Sequence, residues 1–273
     1  MPELPDLEVV KESLNRSLIG ELVTGVEVRR PLVVRDLVGH PPGAALVGHN
    51  VRSVGRWGKF LWLELADDVW LVVNPKLAGR LAWRAPEEKP GAHTALALSL
   101  ASGIELHYSD AKDMGQVYIT PALERVPGFA GQGPDVLDPA LTAEVFATRL
   151  RKYQGEIKGI LTRQEFVAGI GNAYADEILF RAGISPFRRR ARLSAGEAER
   201  LYRAMREVLL EAVAILRERV GDNIDVEVRD FLQVHRKGGE PCPRCGKPIS
   251  ELHARQRITS FCRQCQPGTL VRN

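Results

Sequence analysis

Three groups of residues in this chain carry reactive or ligating chemistry at informative spacing. The first is Met1-Pro2-Glu3. Removal of the start methionine leaves Pro2 with a secondary amine, next to a carboxylate. A terminal amine titrates near pH ~8, whereas a lysine, near ~10.4, needs burial or a neighbouring cation to become nucleophilic at neutral pH. Such an amine attacks an electrophilic carbon, for instance the anomeric carbon of a sugar, and gives a cationic imine. Glu3 stands where it can exchange the proton that the sugar ring oxygen requires. Taken alone, a Met-Pro start is common and names nothing.

The second group is Cys242-Pro243-Arg244-Cys245 and Cys262-Arg263-Gln264-Cys265, which hold all four cysteines of the chain with sixteen residues between the pairs. Two-residue gaps let each pair grip one side of a tetrahedral Zn²⁺, and a short hairpin between them closes the site. Four thiolates leave no open coordination position, so the zinc is predicted to be structural. In a reducing compartment such a cluster is a metal site rather than two disulfides. A ribbon of this kind occurs on nucleic-acid binders and protein-binding modules alike; its job is to hold a hairpin rigid and offer Arg255 or Arg257.

The third group is Gly169-Ile170-Gly171-Asn172. The glycines allow a tight turn, and the amides at the start of the following helix suit a phosphate. Asn172 either caps that helix or reaches a phosphate oxygen. Lys59, after Gly58 at the entry to an apolar strand, and Lys158 on a helix are each a solvated end or a phosphate contact. His93 and His107 lie in strand-like stretches without metal-ligand spacing and read as surface histidines. Trp57 and Trp62 flank Lys59 as packing residues. The block Arg188, Arg189, Arg190 and Arg192, and the cluster Arg255, Arg257 and Arg263, each read as solvated surface.

These groups need elements to position them. Leu7, Val10, Leu14 and Leu18 recur at helical steps, so residues 3–17 form a helix entered through Pro5. From about 20 to 120, short apolar, β-branched runs at 23–28, 60–65, 69–73, 95–100 and 104–108 predict a β-sandwich or barrel. Residues 121–141, rich in Pro and Gly, read as a linker. Beyond it the periodicity turns helical at 141–152, 156–161 and 173–181, stopped by Ala182-Gly183. Ser194-Ala195-Gly196-Glu197 is a capping box that opens a long amphipathic helix to about Arg219, ended by Gly221-Asp222-Asn223.

The 273 residues suffice for two domains, and 44% apolar with 26% charged residues is ordinary for a soluble globular protein. A net charge of +4 is compatible with a polyanionic partner. No apolar run is long enough to span a membrane, and Glu3, Asp6 and Glu8 stand where a secretory signal would be basic and then apolar. The expectation is an intracellular, cytoplasmic protein.

In this order the parts resemble the formamidopyrimidine-DNA glycosylase / endonuclease VIII family: Met-Pro-Glu-Leu-Pro, then Gly58-Lys59-Phe60-Leu61, then Gln164 with Val167 through Phe180, then Pro241-Cys242 to Cys265-Gln266. The resemblance spans essentially the whole chain. It implies an α+β protein: a β-sandwich with a leading helix over 1–120, a linker over 121–141, a helix-two-turn-helix domain over 142–232 and a Cys₄ zinc finger over 233–273. It also implies a bifunctional DNA glycosylase and AP lyase that acts on oxidised bases in double-stranded DNA, as a monomer. In that reading the Pro2 amine attacks C1′, Glu3 assists ring opening, and Lys59 contacts phosphate and assists. Asn172 and Arg257, the latter in Gln256-Arg257-Ile258-Thr259, pinch the phosphates flanking the lesion, and Lys158, His93 and Lys112 complete the DNA-facing set.

Where the family's 8-oxoguanine enzymes tend to carry Asp-Pro-Arg-x-Phe-Gly, this chain has Asp110-Ala111-Lys112-Asp113-Met114-Gly115. Lys112 lacks the bidentate fork of arginine, and Met114 is a flexible apolar wedge in place of a flat ring. The expected void-filling methionine is Leu77, still apolar enough to intercalate. Asp6 replaces the usual glutamate, and the segment from Gly221 to Gly239 is short where those enzymes carry a lesion-covering loop. Base preference therefore stays open between oxidised pyrimidine, ring-opened purine and abasic site. Two other readings fit the residues: a non-catalytic damaged-DNA binder with the same clamp, and a zinc-ribbon protein-interaction module.

Overall fold

The stripe of Leu7, Val10, Leu14 and Leu18 forms one buried face of the first helix, α1 (Leu4–Leu18). In the computed structural model, which describes residues 1–38, 41–254 and 257–268, this helix starts at Glu3 as N-cap with Pro5 in its first turn. The chain divides into two compact units, Met1–Gly131 with Val213–Val228, and Gln132–Ala212 with the chain from Arg229 onward.

In the first unit the alternating runs become two sheets. One contains β1 (Val23–Val28), β6 (Arg80–Arg84), β7 (Thr94–Leu100) and β8 (Glu105–Ser109), in the order β1-β7-β8-β6, all antiparallel. The other contains β2 (Val34–Asp36), β3 (Val51–Trp57), β4 (Phe60–Leu65), β5 (Trp70–Asn74) and β9 (Gln116–Thr120), in the order β2-β9-β5-β4-β3, with only β2 and β9 parallel. Leu96, Leu98 and Leu106 from one sheet and Leu61, Leu63, Leu71, Val73, Val117 and Ile119 from the other share a single core with α1. This is the expected sandwich. The strand period also explains the second apolar layer: Phe60, Val72 and Tyr118 point to the opposite face of their sheet. Leu123, Val126 and Phe129 cover that face, with the Phe129 ring 5.5 Å from Phe60, edge-on. Residues 121–131 thus form a lid on the sheet.

The expected strands at 23–28, 60–65, 69–73, 95–100 and 104–108 all form, with ends shifted by a residue at most. Four further strands, β2, β3, β6 and β9, were not legible. In β3, Arg52, Gly55 and Arg56 interrupt the apolar alternation, because Gly55 lies opposite Trp62 and Arg56 carries a buried ion pair.

The second unit holds α2 (Ala143–Arg151), α3 (Ile157–Leu161), α4 (Asn172–Ala182) and the hairpin β10 (Ser250–Ala254) and β11 (Arg257–Phe261). It also holds α5 (Ala195–Val220) through Ala212, the rest of that helix grouping with the first unit. The predicted stops are in place: Gly183 ends α4 at φ 68°, and Ser194 and Glu197 form the reciprocal cap of α5 at 2.8 and 3.2 Å. Phe180 of α4 packs against Val234, Cys242, Ile249 and Cys262, which seats the cysteine ribbon on the helix. Among the described residues no helix is long and apolar enough to cross a membrane.

A Cβ on Gly55 would lie 1.9 Å from the Trp62 ring. Gly55→Ala should therefore cost about 1–3 kcal/mol in urea unfolding, and the cost should shrink when Trp62 is also cut to leucine. Equal losses in both backgrounds would show that this register contact is not what excludes a side chain.

Candidate active site and nucleic-acid interface

Glu3 is almost completely buried, at 1% exposure, although it lies two residues from the chain terminus. Its backbone N–H donates to the Asp6 carboxylate at 2.8 Å, closing a capping box at the head of α1. Asp6, the residue that departs from the family pattern, is thus a working helix cap. Pro2 is buried beside it. Pro2, Asp6, Gly79, Arg80 and Glu227 contribute to the lining of a pocket whose remaining wall is largely aliphatic.

Lys59 is half-buried in the two-residue turn joining β3 and β4. Gly58 supplies the positive φ of 58° at the first turn position, as a type II′ hairpin requires. Arg56 fixes this turn. Its guanidinium donates to the Glu8 carboxylate of α1 at 2.6 Å and to the Gly58 carbonyl at 3.0 Å, and its side chain is only 4% exposed. The turn that presents Lys59 is therefore tied to the helix that carries Pro2 and Glu3. Neither Arg56 nor Glu8 stood out in the sequence; the available signal was an arginine inside an otherwise apolar strand.

Leu77 and Met114 are 40% and 51% exposed, and each lies on a loop between strands. Both loops close on Tyr108 of β8. A Cβ on Gly79 would come within 2.2 Å of its hydroxyl and a Cβ on Gly115 within 1.8 Å. Tyr108 is 1% exposed, its hydroxyl makes no hydrogen bond, and burial pushes its phenol above the ordinary range. Asp110, fully buried, accepts the amides of Lys112 and Gly115 at 2.9 and 2.5 Å and so shapes the Met114 loop. Lys112 is exposed, and exposed His93 sits in the turn before β7, where its carbonyl accepts the Asp110 amide. His107 is not the surface residue expected. It is 3% exposed in β8, and its ring nitrogen lies 2.7 Å from the Glu105 carboxylate two residues back on the same face, which holds that carboxyl below its usual range.

In the second unit the glycine turn is held from several sides. The Gln164 side chain accepts the Gly169 amide at 2.9 Å and donates to the Ile170 carbonyl at 2.8 Å. Arg149 of α2 donates to the Glu165 and Phe166 carbonyls at 2.7 and 3.0 Å. Gly171, not Asn172, is the N-cap of α4. The Asn172 amide instead donates to the Ile258 carbonyl at 2.8 Å, and its Oδ1 has no partner. That bond places Asn172 against the residue following Arg257, which is exposed at the start of β11. Asn172 and Arg257, expected to act as a pair, are brought together by one hydrogen bond. Arg255 and Gln256 lie outside the described residues.

Lys158 requires a correction. It is 8% exposed, and its ammonium contacts Asp176 Oδ1 at 2.7 Å, the Ile258 carbonyl at 2.7 Å and Thr259 Oγ1 at 2.9 Å. With two hydrogen bonds to the hairpin and an ion pair to Asp176, Lys158 braces the hairpin from within rather than offering itself to a phosphate. Asp176 also takes His235 Nδ1 at 2.8 Å and the Ser260 amide at 3.2 Å. Glu177 accepts the amides of Gln233, Val234 and His235 at 2.8–2.9 Å. Burial pushes the Glu177 carboxyl up, and these amides draw it part of the way back. The arginine block also has structural work. Arg190 donates to the Arg151 and Tyr153 carbonyls at the end of α2, and Arg188 reaches Glu197.

The four cysteine sulfurs lie within 4.8 Å of one another, with Cys242–Cys265 at 3.8 Å and Cys245–Cys262 at 3.4 Å. Tetrahedral Zn–S bonds of about 2.3 Å put sulfurs roughly 3.8 Å apart, so the thiols fit the ion. The Cys265 amide points at Cys262 Sγ at 3.5 Å, and the Gln266 side chain accepts the Cys262 amide at 2.9 Å and donates to the Ile184 carbonyl at 2.9 Å, docking the knuckle after α4.

Three family models match this chain: the formamidopyrimidine-DNA glycosylase N-terminal domain over residues 1–117, the H2TH domain of the same enzymes over 132–222, and the zinc finger found in FPG and IleRS over 239–268. The formamidopyrimidine-DNA glycosylase of Pelotomaculum thermopropionicum is 36% identical over 273 residues, covering 97% of this chain and 99% of its own. That of Moorella thermoacetica is 37% identical over 259 residues, or 92% and 94% of the two chains. The fold is similar to Lactococcus lactis Fpg in complex with DNA containing an abasic site, with a TM-score of 0.87 and 27% identity over 97% of this chain and 100% of that one. The same Lactococcus protein bound to DNA containing Fapy-dG superposes equally well, at a TM-score of 0.87, 27% identity and coverage of 97% and 100%. The chain belongs to the formamidopyrimidine-DNA glycosylase family, and its cysteine ribbon is that family's zinc finger, holding one structural zinc.

Cys262→Ser should abolish stoichiometric zinc by elemental analysis and release amide protection in β10 and β11. Retained zinc with full protection would contradict a four-thiolate site. Arg56→Met should cost roughly 2 kcal/mol in chemical unfolding, less than a fully buried pair because Lys11 also reaches Glu8. An unchanged unfolding midpoint would mean the turn stands without it.

Proposed function

We propose that this chain removes damaged bases from duplex DNA and then cuts the strand at the resulting abasic site, with the amine of Pro2, exposed once Met1 is removed, as nucleophile. The observation that carries this reading is the burial of Glu3 next to Pro2 at the head of a helix anchored in the sandwich core. A terminus is ordinarily a mobile part of a chain; here an ionisable group two residues from it is desolvated and hydrogen-bonded, as a group that must meet a reacting atom in fixed geometry should be.

The chemistry runs as follows. The Pro2 nitrogen attacks C1′ of an everted nucleotide, the glycosidic bond breaks, and the base departs with the proton that the amine gives up. Glu3 gives its proton to O4′ as the ring opens, leaving an iminium between Pro2 and the open-chain sugar. The cation acidifies the C2′–H bond. Loss of that proton expels the 3′ phosphate by β-elimination, and a second elimination expels the 5′ phosphate. Water then hydrolyses the imine and restores the amine.

Lys59 serves as a phosphate contact at the first unit, with its turn stiffened by Arg56. Asn172 and Arg257 serve as phosphate contacts at the second, and Lys158 holds the strand from which Arg257 projects. Leu77 and Met114 are suited to fill the stack after the base leaves it, and exposed Lys112 and His93 add positive or hydrogen-bonding groups beside them. The named relatives are formamidopyrimidine-DNA glycosylases, and the solved neighbours hold DNA with an abasic site or Fapy-dG, which agrees with this substrate class.

With Met1 removed, Pro2→Gly should keep its affinity for abasic duplex and lose most of the adduct trapped by borohydride. Glu3→Gln should slow base release on the order of 100-fold. An undiminished Pro2→Gly adduct would move the nucleophile elsewhere, with Lys59 the next residue to test.

A further inference from the structure

The segment after α5 is strapped onto the rest of the first unit by acidic residues. Asp222 takes Arg16 at 3.0 Å, Asp225 takes Arg84 at 3.1 Å, and Glu227 takes Arg80. Ile224 between them is 3% exposed and joins the sandwich core. Of the three, Glu227 is the one that also meets the terminal ammonium, that of Met1. Its Oε1 lies 3.2 Å from the terminal ammonium, while Oε2 is held by the Arg80 guanidinium. Glu227, Arg80 and Pro2 all line the same cavity, together with aliphatic Leu216, Val220 and Val226. An apolar wall lowers the local dielectric and strengthens whatever charges face the amine.

We propose that Glu227, steadied by Arg80, is a positioning residue for the nucleophilic amine and sets the pH at which that amine loses its proton. The inference rests on the reading above that Pro2 is the nucleophile. Removing Met1 withdraws the terminus by one Cα step, about 3.8 Å, which a glutamate side chain spans by rotation. The carboxylate favours the ammonium, which cannot attack, and so holds the amine in register until its proton leaves. The guanidinium, bound to the other carboxylate oxygen, opposes it by its charge. The remaining charged groups on these elements are otherwise engaged. Asp6 caps α1 on the Glu3 amide, Glu3 is buried at the N-cap, Glu8 is paired with Arg56 and Lys11, and Asp225 with Arg84. Lys76 is exposed on the loop leading into Arg80.

The two side chains therefore pull the amine's titration in opposite directions, and this gives the test. Borohydride trapping on abasic duplex, followed against pH with protein shown by intact mass to lack Met1, should rise along a limb that reports the amine. Glu227→Gln should move the midpoint of that limb down by about one pH unit. Arg80→Met should move it up. Both side chains are partly exposed, at 35% and 22%, so the variants should fold, as thermal melts would verify. A purely structural role would lower the melting temperature or the plateau and leave the limb in place. A limb unmoved, or moved upward, in Glu227→Gln overturns the inference alone. A wild-type protein that forms no adduct at any pH removes the underlying reading as well.

Discussion

The first residues of this chain are held in place by the apolar face of α1. Leu4, Leu7, Leu14 and Leu18 are all at 3% exposure or less. Burying four such side chains contributes several kcal/mol at about 1.5–3 kcal/mol each, against an ordering cost of roughly 1–2 kcal/mol per backbone residue. For a helix of 15 residues the four leucines alone do not offset that cost, so the rest of the buried face and the backbone bonds must contribute, and directional bonds fix the register. The Asn15 side chain donates to the Val54 carbonyl at 3.1 Å, and Glu8 holds Arg56, so the helix is registered to β3 at two points as well as glued to the core. The position of Glu3 follows from this anchoring, since an N-cap goes where its helix goes.

The second unit solves a different positioning problem. A four-thiolate ribbon is small and has little apolar core of its own. Here it borrows one, with Phe180 inserted beside Cys242 and Cys262 and the Arg244 guanidinium 4.3 Å from the centre of the same ring. Two adjacent acids on α4 then set its approach. Asp176 binds Lys158, His235 and the Ser260 amide, and Glu177 gathers three successive amides just before the ribbon. A buried carboxylate that loses such partners becomes a liability of several kcal/mol, so these contacts specify geometry more than they add stability.

The sequence disclosed features governed by local spacing: the helical stripe of α1, the Ser194–Glu197 cap, the Gly183 stop, the paired cysteines and the hairpin between them. It concealed features whose causes lie far along the chain. Lys158 reads as a surface cation because its acceptors at Ile258 and Thr259 are a hundred residues away, and Arg190 reads as part of a solvated block because the carbonyls it caps belong to α2. Residues 121–131 have the composition of a linker, yet three apolar side chains among them close the outer face of a sheet. His107 was misjudged for a nearer reason: strand alternation puts Glu105 on its own side of β8, and that acid satisfies the ring.

The hydroxyl of Tyr108, wedged between the backbones of Gly79 and Gly115, couples two loops that the chain encodes more than thirty residues apart. Any remodelling of the apolar tips at Leu77 or Met114 is mechanically shared through that phenol. A designer who wished to transplant these loops from a relative would have to graft 75–80 and 108–115 as a single cassette, tyrosine and both glycines included, because either loop alone would arrive without its counterpart's seat.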